Sequence, residues 1–234
     1  MKIENKNIKL ISILIIVLII LGILITITLA INANDKKIIG HNNLGTVSIE
    51  GPYGNPNSSD KIGFIIGVHP LESNAHLSLI KNIQKDNKKL NKSYYIYVIN
   101  VTKDRDDFDK GRMNGQLLAK DYVVPDIKNK NYTFVMDIHA HRNVYKEKNF
   151  IISPLNNPKS EKIGLKIIKN ITGMKILRYI PAIDGHPTSP DYVSIPILKN
   201  GTSTIIYETY LNESENTTNF FMENFIFSLD QLKF

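Results

Sequence analysis

The stretch Gly63-Phe64-Ile65-Ile66-Gly67-Val68-His69-Pro70-Leu71-Glu72 constrains this chain more than any other, because an apolar run ends there in a histidine and a glutamate three residues apart. Phe64 to Val68 read as a buried strand stopped by Pro70, which delivers His69 into a turn, and Glu72 then opens a helix. Ligands spaced in this way can close on one ion, with an imidazole nitrogen at about 2.0–2.1 Å and a carboxylate oxygen at about 2.0–2.2 Å from zinc. The same pair also fits a strand-end histidine followed by a helix N-terminal glutamate favoured by the helix dipole. Residues further along the chain have to separate the two readings.

Two later β-type runs end in a similar way. Tyr132 to Ile138 leads through Asp137 to His139, and Ser203 to Tyr207 closes on Glu208. In an open, largely parallel sheet the carboxyl ends of strands share one edge, so the three ends can meet. Two histidines and one glutamate leave a fourth zinc position for water, whose pKa falls toward about 7, and a nearby carboxylate can take its proton. The chain has no cysteine. Disulfides, thiolate ligands and cysteine nucleophiles are therefore excluded, and a metal would have to be held by His, Asp and Glu. A serine hydrolase of the elbow type is excluded by the lack of a Gly-x-Ser-x-Gly motif.

The remaining pattern predicts an α/β domain over 61–234 with a mixed, mostly parallel sheet flanked by helices. Ala75, Leu77, Leu79, Ile80 and Ile83 recur at helical spacing, with His76 on the helix flank. Tyr94 to Val101 predicts a strand, Thr102 to Gly115 a charged turn region, and Gln116 to Tyr122 a short helix. Further strands are predicted at Phe150 to Ile152 and Lys175 to Ile180. Glu161 to Ile171 predicts a helix, Asp184 to Tyr192 a loop, and Asn219 to Phe234 a helix packed on the sheet. Residues 32–60, rich in Asn and Gly, read as a stalk with a short entry strand.

Ahead of the stalk, residues 10–31 form an apolar run long enough to cross a bilayer as a helix. Lys2, Lys6 and Lys9 precede it, so residues 1–9 are expected in the cytoplasm and the domain outside the cell membrane; the length of the run favours an uncleaved signal-anchor at 10–31, with a signal cleaved near Ala30 or Ala33 as the alternative. Eight Asn-x-Ser/Thr sequons, beginning at Asn57, Asn91, Asn100, Asn131, Asn170, Asn200, Asn212 and Asn216, favour the same side and predict a glycoprotein. The net charge of +7 is spread over scattered lysines. With no arginine-rich helix and no basic patch interleaved with aromatics, nucleic acid is not an expected partner.

His69-Pro70-Leu71-Glu72 and Asp137-Ile138-His139 together resemble the ligand pattern of the zinc carboxypeptidase superfamily, which includes the succinylglutamate desuccinylase and aspartoacylase branch. The resemblance covers roughly residues 60 to 232. It implies Zn2+ held by His69, Glu72 and His139, with Glu208 as catalytic base and Arg112 polarising the scissile carbonyl. By the same resemblance Tyr192 stands where a substrate-binding tyrosine is expected, and Asn114 lies in the segment matching the arginine. The chain departs from the family in having no Asn-Arg dipeptide between Gln116 and Asn131 to grip a substrate carboxylate. His141 and Arg142 are candidates to bind substrate instead, or ordinary strand-end polar residues. Asp137 shares a strand face with His139 and is either support for that ligand or a buried structural acid. The expected activity is zinc-dependent hydrolysis of amide bonds in a peptide, including cell-wall peptide. An aminoacylase-like deacylase of N-acyl amino acids and a non-catalytic surface binding protein are the alternatives.

Overall fold

Among the described residues, eight strands form one sheet in the order β1-β2-β4-β3-β5-β8-β6-β7. They are β1 (Lys36–Asn42), β2 (Gly45–Gly54), β3 (Lys61–Ile66), β4 (Ser93–Val101), β5 (Phe134–His141), β6 (Phe150–Ile152), β7 (Lys175–Leu177) and β8 (Thr204–Tyr210). The central strands β4, β3, β5 and β8 run parallel, whereas β1, β2 and β6 join antiparallel. The computed structural model describes residues 13–22, 36–181 and 188–234, and Lys36–Phe234 is one compact unit. Residues 13–22 are helical. Among the described residues no helix is long and apolar enough to cross a membrane, and the rest of the run expected to span one lies outside them.

Period-2 alternation explains how the sheet is covered on both faces. Ile62, Phe64 and Ile66 of β3, with Phe134, Met136, Ile138 and Ala140 of β5, face one core, where α1 (Ser73–Asp86), α4 (Pro158–Ile168) and α7 (Glu215–Gln231) pack. Helix α1 supplies Ala75, Leu79 and Ile83 to that core, whereas Leu77, which the spacing also assigned to the apolar stripe, is 64% exposed. Asp230 ties α7 to the sheet by accepting from the backbone of Asn91 and Lys92 and from the Tyr94 hydroxyl. Ile65 and Val135 face the opposite core, covered by α2 (Phe108–Leu118), a π-helical turn Ala119–Val123, α3 (Val124–Lys128) and α6 (Ser194–Lys199). Each fully buried large apolar side chain in these cores contributes about 1.5–3 kcal/mol.

Three expectations are corrected. Residues 36–60, read as a stalk with one entry strand, are mostly the paired strands β1 and β2, so the compact unit begins at Lys36. Val47 and Ile49 anchor β2 in the core, while Ile38 on the edge strand is 63% exposed, which leaves only a weak apolar signal. The segment Thr102 to Gly115, read as turns, contains most of α2. Asp107 caps it, its side chain accepting from the backbone N–H groups of Asp109 and Lys110. Its glycines permit close approach, since a Cβ on Gly115 would collide with the Val68 carbonyl oxygen. The region expected as a loop also carries a one-turn helix α5, Ser189–Tyr192, capped by Thr188, and residues 182–187 lie outside the described ones.

This topology positions the site. Strands β3, β5 and β8 are adjacent and parallel, so their carboxyl ends come together. Gly67, at φ +82°, turns the chain out of β3 where a Cβ would strike the Ile99 carbonyl oxygen. His139 and Glu208 are register partners on β5 and β8.

Candidate metal centre

Glu72 lies between the two histidines, 5% exposed. Its Oε1 accepts from His69 Nδ1 at 2.9 Å and from Arg112 Nη1 at 2.7 Å. Its Oε2 accepts from His139 Nδ1 at 2.9 Å and from the Ala140 backbone N–H at 3.0 Å. Burial opposes ionisation of this carboxyl, but hydrogen bonds from both imidazoles outweigh it and hold the pKa well below the usual carboxylate range. The three side chains offer ligand atoms that all lie within 4.8 Å of one another.

The two imidazoles differ in charge. Burial, reinforced by the charge on His139, lowers the His69 pKa to about 4, so the ring is neutral. It donates from Nδ1 to Glu72, and Nε2 accepts from the Gln116 amide at 3.2 Å. His139 is also disfavoured as a cation by burial, yet the charge of Asp137, together with hydrogen bonding to Glu72, holds its pKa well above the ordinary value. Its Nε2 lies 3.0 Å from Asp137 Oδ1 and 3.4 Å from Ser189 Oγ. Asp137 is completely buried, and this ion contact is its principal one, since neither oxygen has a well-aligned hydrogen-bond partner among the described residues.

These residues fit a divalent cation. Both Nδ1 atoms turn toward the same carboxylate, while the outer Nε2 atoms are held by Gln116, Asp137 and Ser189, the support that orients a metal-ligating imidazole. Ligation requires free Nδ1 lone pairs, so binding would displace the protons now shared with Glu72; neutral His69 would then carry its proton on Nε2 and Gln116 would turn its amide oxygen to accept it, while His139 would keep its Nε2 proton toward Asp137.

The open side faces a cavity of about 260 Å3 lined by His69, Arg112, His139 and Glu208. Glu208 is half-buried and its Oε2 has no hydrogen-bond partner among the described residues. Burial pushes its pKa up to about 8, against the opposing pull of the His139 charge. Arg112 reaches this edge from α2, and Gln116 follows one turn later on the same helix, which Gly115 allows close to Val68.

The other candidates are dispersed. Tyr192 is turned into the second core beneath Lys120, whose Nζ is 5.9 Å from the ring centroid, and does not line the cavity. The tyrosines that do are Tyr145 and Tyr179. Asn114 donates to the Lys103 carbonyl oxygen, fixing the loop before α2. His141 bonds through Nε2 to the Lys148 carbonyl oxygen and packs against Tyr145 and Phe150, and burial lowers its pKa. Arg142 stacks on Phe108, 4.3 Å from the ring centroid. The sequence reading omitted Gln116, Ser189, Tyr145, Tyr179 and Arg178. Gln116 was four residues from Arg112, a spacing that marks one face only once the segment is known to be helical.

No family model matches the sequence, and neither does any curated protein. Solved structures do match. A metallo-carboxypeptidase from Burkholderia cenocepacia aligns over 85% of this chain and 64% of its own, with TM-score 0.56 and 10% identity. The metallo-carboxypeptidase from Pseudomonas aeruginosa, in complex with (2-guanidinoethylmercapto)succinic acid, aligns over 80% and 60%, with TM-score 0.52 and 12% identity. The chain has a metallo-carboxypeptidase fold. Csd4 of Helicobacter pylori, a D,L-carboxypeptidase in its mDAP-bound form, aligns over 76% of this chain and 53% of its own, with TM-score 0.54 and 11% identity. The chain thus spans less than two thirds of each of these proteins, and at such identities the likeness is one of fold.

Elemental analysis of the purified protein should find one divalent cation per chain, lost in His69→Ala, Glu72→Ala and His139→Ala. Gln116→Ala should keep the site but weaken its affinity about 10- to 100-fold. Asn114→Ala should bind as the wild type does. Full loading of all three ligand variants would place the metal elsewhere.

Proposed function

We propose that this protein is a membrane-anchored, outward-facing zinc-dependent hydrolase of amide bonds, carboxypeptidase-like and acting on peptides, cell-wall peptide included. The observation that carries the reading is the placement of Glu208, a half-buried carboxyl with an oxygen unpartnered among the described residues, on the same small cavity as His69, His139 and Arg112. Zinc, when bound, would supply Lewis acidity for a water and for the scissile carbonyl. The donor set of two imidazoles and one carboxylate suits that ion.

The side chains divide the remaining work. Glu208, as the carboxylate, takes a proton from the attacking water on its free Oε2 and returns it to the leaving amine nitrogen. A raised pKa suits this exchange, because the group must both accept and release a proton near neutrality. Arg112 is paired with Glu72 at 2.7 Å and is about one third exposed toward the cavity. Once Glu72 serves as a ligand, its charge is shared and the guanidinium can donate to the oxygen that gains negative charge. Ile152, Ile206 and Pro190 wall the cavity with apolar surface that limits water beside these groups. The bound mDAP of the structurally similar D,L-carboxypeptidase supports cell-wall peptide as a substrate class.

Glu208→Gln should remain metallated while turnover on a cleaved peptide falls about 10³- to 10⁴-fold. Arg112→Ala should likewise keep its metal and lose about 10²- to 10³-fold. Near wild-type turnover by metallated Glu208→Gln would end the mechanism. The outward placement rests on the apolar run 10–31 and the eight sequons. Protease added to intact cells should therefore cut the domain, and protection there would overturn that placement.

A further inference from the structure

Beyond the groups already assigned, one further strong charge among the described residues lines the cavity. Arg178, immediately after β7, lines it together with the apolar Ile152, Ile180 and Ile206 and with Tyr179. Arginine is scarce in this chain, four residues among 29 lysines and arginines, and two of the four, Arg112 and Arg178, line this cavity. Arg112 is bound to Glu72. Arg178 has no ion pair among the described residues, although Glu161 shares the adjoining cleft with it.

The root of Arg178 is fixed. Its strand pairs with β6, and the next residue, Tyr179, is held on both backbone groups by Asn156, whose Oδ1 accepts from Tyr179 N at 2.8 Å and whose Nδ2 donates to Tyr179 O at 3.1 Å. Asn156 reaches that position through left-handed backbone at Leu155 and Asn156, φ 55° and 51°. Tyr179 itself is 6% exposed, which anchors the segment further. Arg178 is exposed on this cavity, and a guanidinium on a fixed backbone there offers a planar fork of donors to a carboxylate arriving from solution. The Thr188 hydroxyl on the same cavity is already committed to Asp191.

We propose that Arg178 is the carboxylate anchor of the cavity and selects the residue released by hydrolysis. The carboxylate is either the main-chain terminus of that residue or an acidic side chain on it, and one chemistry recognises both. The assignment rests on the hydrolase reading of the site, and its test has an arm independent of turnover.

The experiment compares zinc-loaded wild type, Arg178→Ala and Arg178→Lys, each with metal content verified, on N-acylated dipeptides ending in glutamate, in glutamine and in glutamine amide. Arg178→Ala should raise KM about 10- to 100-fold for the preferred acid with little change in kcat, and Arg178→Lys should recover part of the loss. An effect confined to the glutamate substrate assigns the side chain. An effect shared by both free acids but absent from the terminal amide assigns the main-chain carboxylate. Equal KM for wild type and Arg178→Ala on all three overturns the proposal. In parallel, glutarate is titrated into the same proteins by calorimetry, with neutral glutaramide as control. If the wild type cleaves no peptide, the hydrolase reading fails and this titration alone decides Arg178. Glutarate binding weakened at least about 10-fold in Arg178→Ala supports the anchor, and unchanged binding overturns it.

Discussion

The carboxylate of Glu72 takes four donors, two imidazole Nδ1 atoms, the Arg112 guanidinium and a backbone N–H, in a site nearly closed to water. Desolvating one carboxylate costs several kcal/mol, and only partners of this kind offset it. Removing one partner of such a buried set costs about 3–5 kcal/mol, because the charge left behind is uncompensated. The arrangement therefore depends on several remote parts of the fold at once. Strand β3 delivers His69, β5 delivers His139 and the Ala140 N–H, and α2 delivers Arg112 and Gln116. The close approach at Gly115 and the turn at Gly67 allow these elements to meet.

The protons on the two Nδ1 atoms occupy the direction in which a cation would be held, and their outer nitrogens are already oriented. Metal binding at this point would exchange protons for a divalent charge at a centre carried on strand ends.

The strand-end residues were legible in the sequence because the alternation itself changes character there. Along one face of β5 the order is Val135, Asp137, His139, His141, apolar at the start of the strand and polar at its carboxyl end. The same change occurs on β8 between Ile206 and Glu208. Helix α2 was not legible, since its charges and glycines mimic a turn region until their contacts with Val68 and Arg105 are known. The edge hairpin β1–β2 was obscured by its exposed face and its Asn- and Gly-rich turn. Tyr192 stood in a plausible position along the chain, but the hydrophobic patch around Val193 and Ile197 draws it inward. Arg178 and Tyr145 carry no local motif, and only the folding of β6 and β7 beside β8 brings them to the cavity.

The account stands on one claim, that Glu72 and the two histidines converge because they share a metal. A crystal of the protein grown with zinc, measured at the zinc absorption edge, tests it directly. The account predicts one anomalous peak in this domain, about 2.0–2.2 Å from the Nδ1 atoms of His69 and His139 and from a Glu72 oxygen, with Gln116 and Asp137 still on the outer nitrogens. An anomalous map without a peak there, with Glu72 still bonded to both protonated imidazoles at saturating zinc, would contradict it.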